Sequence, residues 1–170
     1  MSVTLALGPL RYSIEGAPLP PWLQRYAVPA STDDRKVHFE FVESPHPLPS
    51  TPAGLQGFGY VVDPDDGFDR ARIVRSMHPA EGFLSALGGI VVRDAPSVEA
   101  MVIHAGALQI HDGVALFMAP PGTGKTTLVR AGGSRAFAHN AVLVRRAERT
   151  AMTAWALPFA GDPDPSLDAP

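Results

Sequence analysis

The stretch Ala119-Pro120-Pro121-Gly122-Thr123-Gly124-Lys125-Thr126-Thr127 decides how the chain is read, because its residue types and spacing together ask for a specific ligand. It has the form of a phosphate-binding loop. The apolar run Val114-Ala-Leu-Phe-Met118 before it reads as a buried strand, and Thr126-Thr-Leu-Val-Arg-Ala131 after it can open a helix. Gly122 and Gly124 let the backbone turn its N–H groups inward, where a phosphate would sit. Lys125 would reach the β- and γ-phosphates and the Thr126 hydroxyl would ligate Mg²⁺, with Pro120, Pro121, Thr123 and Thr127 completing the cradle. Ala119 takes the first glycine position of the G-x-x-x-x-G-K-[ST] pattern, a small residue that keeps the strand exit narrow. A Gly/Pro-rich hairpin loop that binds nothing is the competing reading, and the strand and helix signals on either side weigh against it.

Lysine usage points the same way. The chain has twelve arginines and only two lysines, Lys36 and Lys125, so an arginine-rich composition still places a compact ammonium in the loop. Its 170 residues are enough for one compact domain, or one domain with a smaller lobe, and for a core without staples. The absence of cysteine excludes disulfides, thiolate catalysis and Cys-ligated zinc, and fits a reducing compartment. No run reaches the roughly 18 apolar residues of a membrane span, and Met1-Ser-Val-Thr-Leu-Ala-Leu7 lacks the basic start of a secretory signal. The expectation is a cytoplasmic protein with no membrane partner.

The net charge of −3 is unevenly spread. Residues 119–150 carry Lys125, Arg130, Arg135, Arg145, Arg146 and Arg149 against Glu148 alone. A basic field around a phosphate loop suits a nucleotide, whereas nucleic-acid binding calls for a broader basic surface and aromatic platforms. No nucleic-acid partner is therefore expected. A solvated arginine-rich turn at 145–149 is the alternative account of those three arginines.

The first hundred residues read as β-rich. Val3–Leu7, Leu10–Ile14, Lys36–Val42 and Gly57–Val62 carry alternating, β-branched or aromatic residues between Pro, Gly and Ser clusters, and antiparallel pairing is the natural reading. Pro18–Tyr26 predicts a short helix begun by proline, with Trp22, Leu23 and Tyr26 on one face. Ser44–Pro52 reads as a proline-rich surface connection and Asp63–Gly67 as a turn. Phe83, Leu84, Leu87 and Ile90 predict an amphipathic helix from Pro79, and a helix or buried strand covers Val98–Ile103. Ala107–His111, Asp112-Gly113 and Val114–Met118 form a hairpin with an Asp-Gly turn that runs straight into the loop. The helix after Lys125 is cut short by Gly132-Gly133-Ser134, and strands follow over Ala141–Arg145 and Thr150–Ala156. This gives an α/β (α+β) fold: a P-loop core with a mixed β-sheet over 101–170, preceded by a β-rich lobe over 1–100.

Three stretches together, Ile103-His-Ala-Gly-Ala-Leu-Gln-Ile-His-Asp-Gly-Val-Ala-Leu-Phe-Met118, the loop, and Ala136-Phe-Ala-His-Asn-Ala-Val-Leu-Val-Arg145, resemble the HPr kinase-like family. In that family a histidine begins a hairpin, the hairpin enters the phosphate loop, and a later strand ends in acidic residues. The fold is related to the ATP-using phosphoenolpyruvate carboxykinases. Members phosphorylate a serine hydroxyl of a small protein or peptide. Trp155-Ala-Leu-Pro-Phe-Ala-Gly-Asp162 is also similar to the family's stretch after the next strand.

The resemblance implies ATP and Mg²⁺ at Gly122, Gly124, Lys125 and Thr126, with His104 close to the phosphates. It also implies a protein or peptide acceptor with a serine hydroxyl. Where the family has adjacent aspartates, this chain has His139-Asn140. His139 could act as general base, and Asn140 could ligate the metal only through a neutral carbonyl. Asp162, Asp164 and Glu148 are the nearby acids that could substitute. The family pattern also continues past Pro170, which implies a homo-oligomer or a partner subunit covering the surface left over. Two functions follow: an ATP-dependent serine kinase of HPr kinase type using His139 or His104, or a catalytically impaired nucleotide-binding sensor or partner subunit. Simple nucleotide hydrolysis is disfavoured, since no apolar strand after the loop ends in Asp or Glu.

Overall fold

The computed structural model describes residues 2–43, 55–57, 60–63, 66–74, 79–120, 122–148 and 151–159. Ser44–Pro52, Pro121, Asp162 and Asp164 lie outside them, as does Arg149. The described chain is a mixed α and β structure in which strands predominate. It divides into two compact units, residues 1–94 and 95–170.

The first unit holds β1 (Ser2–Leu7), β2 (Leu10–Glu15), a 3-10 turn over Pro21–Tyr26, β3 (Ala27–Val28), β4 (Arg35–Val42), β5 (Leu55–Gly57), β6 (Tyr60–Asp63), β7 (Arg70–Val74) and helix α1 (Pro79–Asp94). The described strands form one sheet in the order β3-β1-β2-β4-β7-β6-β5. The expectation of purely antiparallel pairing does not hold here, since β2 pairs β4 and β4 pairs β7 in parallel. The stretch expected as one strand over Gly57–Val62 falls instead on both arms of an antiparallel pair, β5 and β6. Strand β7, Arg-Ala-Arg-Ile-Val, was not expected from its charged first half, yet Ala71 and Ile73 are its buried face.

Alternation explains why these segments are strands. Leu10, Tyr12 and Ile14 of β2 and Val37 and Phe39 of β4 point to one buried face while their neighbours stay in contact with water. Phe83, Leu87 and Ile90 of α1 are spaced for one helical face, and all are buried, with the Phe83 ring 4.6 Å from that of Phe39.

Two buried carboxylates pin the loops of this unit. Asp94 ends α1 and accepts from the Tyr12 hydroxyl (3.1 Å), from Arg35 on both its oxygens (2.6 Å) and from Arg93. Burial, and then the Asp94 carboxylate, push the Tyr12 hydroxyl far above its ordinary titration range, so it stays a donor. Asp34 accepts from Arg11 (2.6 Å), from the Ser31 backbone N–H (2.6 Å) and from Thr4. The Arg11 bond and then the Ser31 N–H hold the Asp34 carboxyl below the usual carboxylate range.

A folded-state value depressed in this way stabilises the fold above the unfolded carboxylate value of about 3.9, and that contribution is lost as pH falls through the lower folded value. Asp34→Asn should therefore lower Tm at neutral pH. The gap between wild type and variant should close in thermal melts as pH drops below about 4. A gap that stays constant from neutral pH to pH 3 would remove the Asp34 charge from this account.

The second unit holds a 3-10 turn over Ala95–Val98, β8 (Ala100–His104), β9 (Gly106–Ile110), β10 (Gly113–Phe117), α2 (Lys125–Ala131), a 3-10 turn over Gly133–Arg135, β11 (Ala136–Ala138), β12 (Ala141–Arg146) and β13 (Met152–Ala156). Two three-stranded sheets result, β10-β9-β11 and β13-β12-β8. Every pairing in them is antiparallel, so the mixed sheet expected beside the loop lies in the first unit instead. Ala107, Ala138, Val114, Leu116 and Phe137 from one sheet meet Val142, Val144, Ile103, Ala154 and Ala156 from the other in a single apolar cluster. The chain crosses between the sheets twice, at Ala105 and at His139-Asn140.

Candidate functional site

Register fixes what lies at the edge where the loop begins. Phe117, the last residue of β10, pairs with Gly106, the first of β9, and Ala138, the last of β11, pairs with Ala107. In the other sheet, His104 at the end of β8 pairs with Ala141 at the start of β12. The loop after Phe117, the crossing at His104-Ala105 and the crossing at His139-Asn140 therefore leave from one edge of this unit. The Ala105 N–H donates to the Asn140 carbonyl oxygen (3.1 Å), which joins the two crossings directly. Because β9 separates β10 from β11, the loop root and His139 stand two strand spacings apart, about 10 Å.

The loop is shaped by its two glycines. Gly122 and Gly124 have φ of 79° and 88°, values costly for any residue with a Cβ, and neither has a neighbour within 4 Å of where a Cβ would be. Their requirement is conformational rather than steric. Gly124 is the N-cap of α2, and its carbonyl accepts from the Leu128 N–H (2.9 Å). The Thr123 hydroxyl donates to the Pro120 carbonyl (2.7 Å), closing the turn. Lys125 folds back over the loop, and its ammonium donates to the carbonyls of Ala119 (2.6 Å) and Pro120 (3.1 Å). Thr126 and Thr127 are exposed.

Helix α2 sits close to the sheet because two residues lack side chains. A Cβ on Gly106 would lie 2.9 Å from Val129 Cγ2 and 3.4 Å from the Lys125 carbonyl, and one on Gly132 would collide with Leu108. Val129, fully buried, is the helix's anchor. Composition gave no hint of these two positions, because their role depends on which strand the helix crosses.

The histidine and asparagine positions divide in character. His104 is exposed at the strand end. His139 is half-buried with its Nε2 buried, which makes it the less accessible of the two. Asn140 donates from Nδ2 to the Phe159 carbonyl (2.7 Å), and the Leu157 N–H donates to the Ala141 carbonyl (3.1 Å). The segment after β13 is thereby tied to the same edge, a role for Asn140 that no local sequence signal carries across 19 residues.

The charges are not where the sequence placed them. Arg145 and Arg146 end β12, and Arg145 pairs with Ala100 at the far end of β8, roughly 15 Å from the loop edge. Arg145 lies over the Trp155 ring, 5.7 Å from its centroid. Among the described residues of this unit the carboxylates are Glu99, Asp112 and Glu148, and all three stand at the far ends of their strands. Glu148 is thus removed as a substitute acid at the loop. The hairpin turn is also displaced by a residue from the expected Asp-Gly: Ile110 pairs with Gly113, and His111 takes the positive φ of 52°.

No cluster of three His, Cys, Asp or Glu side chains suited to a metal occurs among the described residues. Among the described residues, the two oxygens that the sequence put forward as metal ligands, the Thr126 hydroxyl and Asn140 Oδ1, are neutral. Among the described residues no helix is long and apolar enough to cross a membrane.

Gly106→Ala should destabilise the protein by about 1–3 kcal/mol by overpacking against Val129, read as a lower urea midpoint with an unchanged slope. An unchanged midpoint would show that α2 does not depend on this close approach.

No family model, curated protein or solved structure matches the chain.

Proposed function

We propose that residues 119–127 bind the phosphates of ATP and that the chain is a nucleotide-binding protein of HPr kinase-like type. The observation that carries this reading is the order of strand β10, a loop with two positive-φ glycines, and Lys125 at the head of α2. Backbone N–H groups and the ammonium would hold the β- and γ-phosphates, and the two carbonyl bonds of Lys125 would be exchanged for charge-assisted bonds to phosphate oxygen. Thr126 and Asn140 would meet Mg²⁺ with neutral oxygens, so the phosphates themselves would supply its negative ligands.

Between binding and transfer, the chemistry of the edge favours binding. A serine kinase needs a base at the acceptor hydroxyl and charged ligands on the metal, and no described carboxylate of this unit stands at the loop edge. The chain therefore acts as a nucleotide-responsive sensor or partner subunit with impaired transfer. One observation favours the kinase reading: His104, whose imidazole is a side chain of the general-base type, is exposed at this edge. In that case the acceptor is a serine hydroxyl of a protein or peptide, and His104, rather than the less accessible His139, is the base.

Calorimetry with MgATP tests the loop. Lys125→Ala should weaken binding at least tenfold, about 1.4 kcal/mol, with an unchanged circular dichroism spectrum. Equal affinity for the two proteins would take the loop out of the account.

Incubation with γ-labelled ATP and serine peptides separates the two functions. The binder reading expects no labelled peptide from wild type. Labelling that falls by about 10² to 10⁴ in His104→Ala would instead establish the kinase.

A further inference from the structure

Strand β10, which leads into the loop, ends its sheet: among the described residues it pairs with β9 and is open along its other edge. The turn His111-Asp112 makes Ile110 and Gly113 a pair that exchanges both backbone hydrogen bonds, and alternation makes Leu108 with Ala115 and Gly106 with Phe117 bonded pairs as well. The N–H and C=O groups of Val114 and Leu116 therefore point away from β9, into the open edge. The strand, Gly-Val-Ala-Leu-Phe, carries no charge, no proline and no bulge, the devices that ordinarily keep an edge from pairing. Val114 to Phe117 are half-buried and Met118 beyond them is exposed. Helix α2 packs on β9 and β11, away from this edge.

A second copy of the same strand fits here. Antiparallel pairing centred on Ala115 engages the whole of β10 and sets Val114 opposite the second copy's Leu116. Both residues have their free backbone groups on the open edge, so each such pair exchanges its hydrogen bonds across a two-fold axis. Side-chain sizes agree with this register, since Ala115 meets Ala115 at the axis, where side chains are closest, and Phe117 meets Gly113.

This pairing runs the two hairpins in opposite directions, which matters to the loop. Asp112 is exposed at the far end of its own hairpin. The same register sets it beside Met118 of the second copy, about 5 Å away across one strand spacing. Met118 is followed by Ala119, whose carbonyl holds the Lys125 ammonium at 2.6 Å. The loop edge, where no described carboxylate of its own unit stands, thus receives one from the other copy.

We infer that the protein is a two-fold dimer joined through β10, in which each copy lends Asp112 to the loop edge of the other. In the free protein Asp112 sets a negative charge close to Lys125. On the phosphate-loop reading it also offers a negative oxygen to the cation that accompanies a bound triphosphate. That second role rests on the reading; the pairing does not.

The chain has no cysteine, so a single introduced one reports the interface cleanly. Ala115→Cys should give a disulfide-linked dimer on mild oxidation, because residues paired at the axis stand about 4.5 Å apart between Cα atoms, within disulfide reach. Gln109→Cys, exposed on β9 and distant from the axis, should not link. Wild type should sediment as a dimer. Ala115→Lys, which sets like charges opposite each other, should sediment as a monomer with an unchanged circular dichroism spectrum. Asp112→Asn should remain a dimer and bind MgATP about tenfold more weakly, as expected for the loss of one charge-assisted contact.

A wild type that is monomeric at every concentration, or a dimer that Ala115→Cys does not link, overturns the inference. A linked dimer in which Asp112→Asn binds MgATP as wild type does, while Lys125→Ala binds it more weakly, upholds the pairing and overturns the loan of Asp112. A linked dimer that binds no MgATP upholds the pairing and overturns the phosphate-loop reading instead.

Discussion

The hydrogen bond from the Ala105 N–H to the Asn140 carbonyl, 3.1 Å, is the constraint on which the second unit turns. It joins the two places where the chain passes from one three-stranded sheet to the other. Each crossing carries residues of the candidate site, His104 on one and His139-Asn140 on the other. With both held at the same edge, the register of β9 against β10 brings the loop root to that edge as well. The apolar cluster between the sheets supplies the driving force, but it is non-directional; the backbone bond and the strand register decide which residues share an edge.

Small side chains determine how closely the pieces approach. Ala107 and Ala138 line the inner face where the sheets meet, and Gly106 and Gly132 let α2 lie against β9 with Val129 as its single buried anchor. A seven-residue helix is too short to be stable by propensity, so its position depends on that contact. Lys125 is the first residue of that helix. The geometry of the loop is thus tied to packing through Val129, one turn further along the same element.

Much of this architecture was legible in the sequence because it is written in local chemistry. The strand-loop-helix order around Lys125, the hairpin before it, the proline-started helix α1 and the early end of α2 all follow from periodicity and from glycine and proline placement. What was not legible depends on pairing partners distant in the chain. Parallel pairing of β2, β4 and β7 leaves no local mark. Strand β11 has three residues and offers no period to detect. The arginines of 145–149 suggested a basic field at the loop, but a strand's two ends look alike in sequence, and only the register shows that Arg145 and Arg146 stand at the far one. Asn140 illustrates the same limit: its place in the chain suggested a metal ligand, while its amide in the fold also ties down Phe159.

Amide chemical shifts test the central claim, that phosphate is held at the edge shared by the loop and the two crossings, most directly. In a titration of the labelled protein with MgATP, the largest shifts should fall on Gly122, Gly124, Lys125 and Thr126, followed by His104 and Asn140, with Arg145, Arg146 and Glu148 unmoved. Largest shifts at the arginine end of β12, or none at the loop at saturating nucleotide, would contradict it.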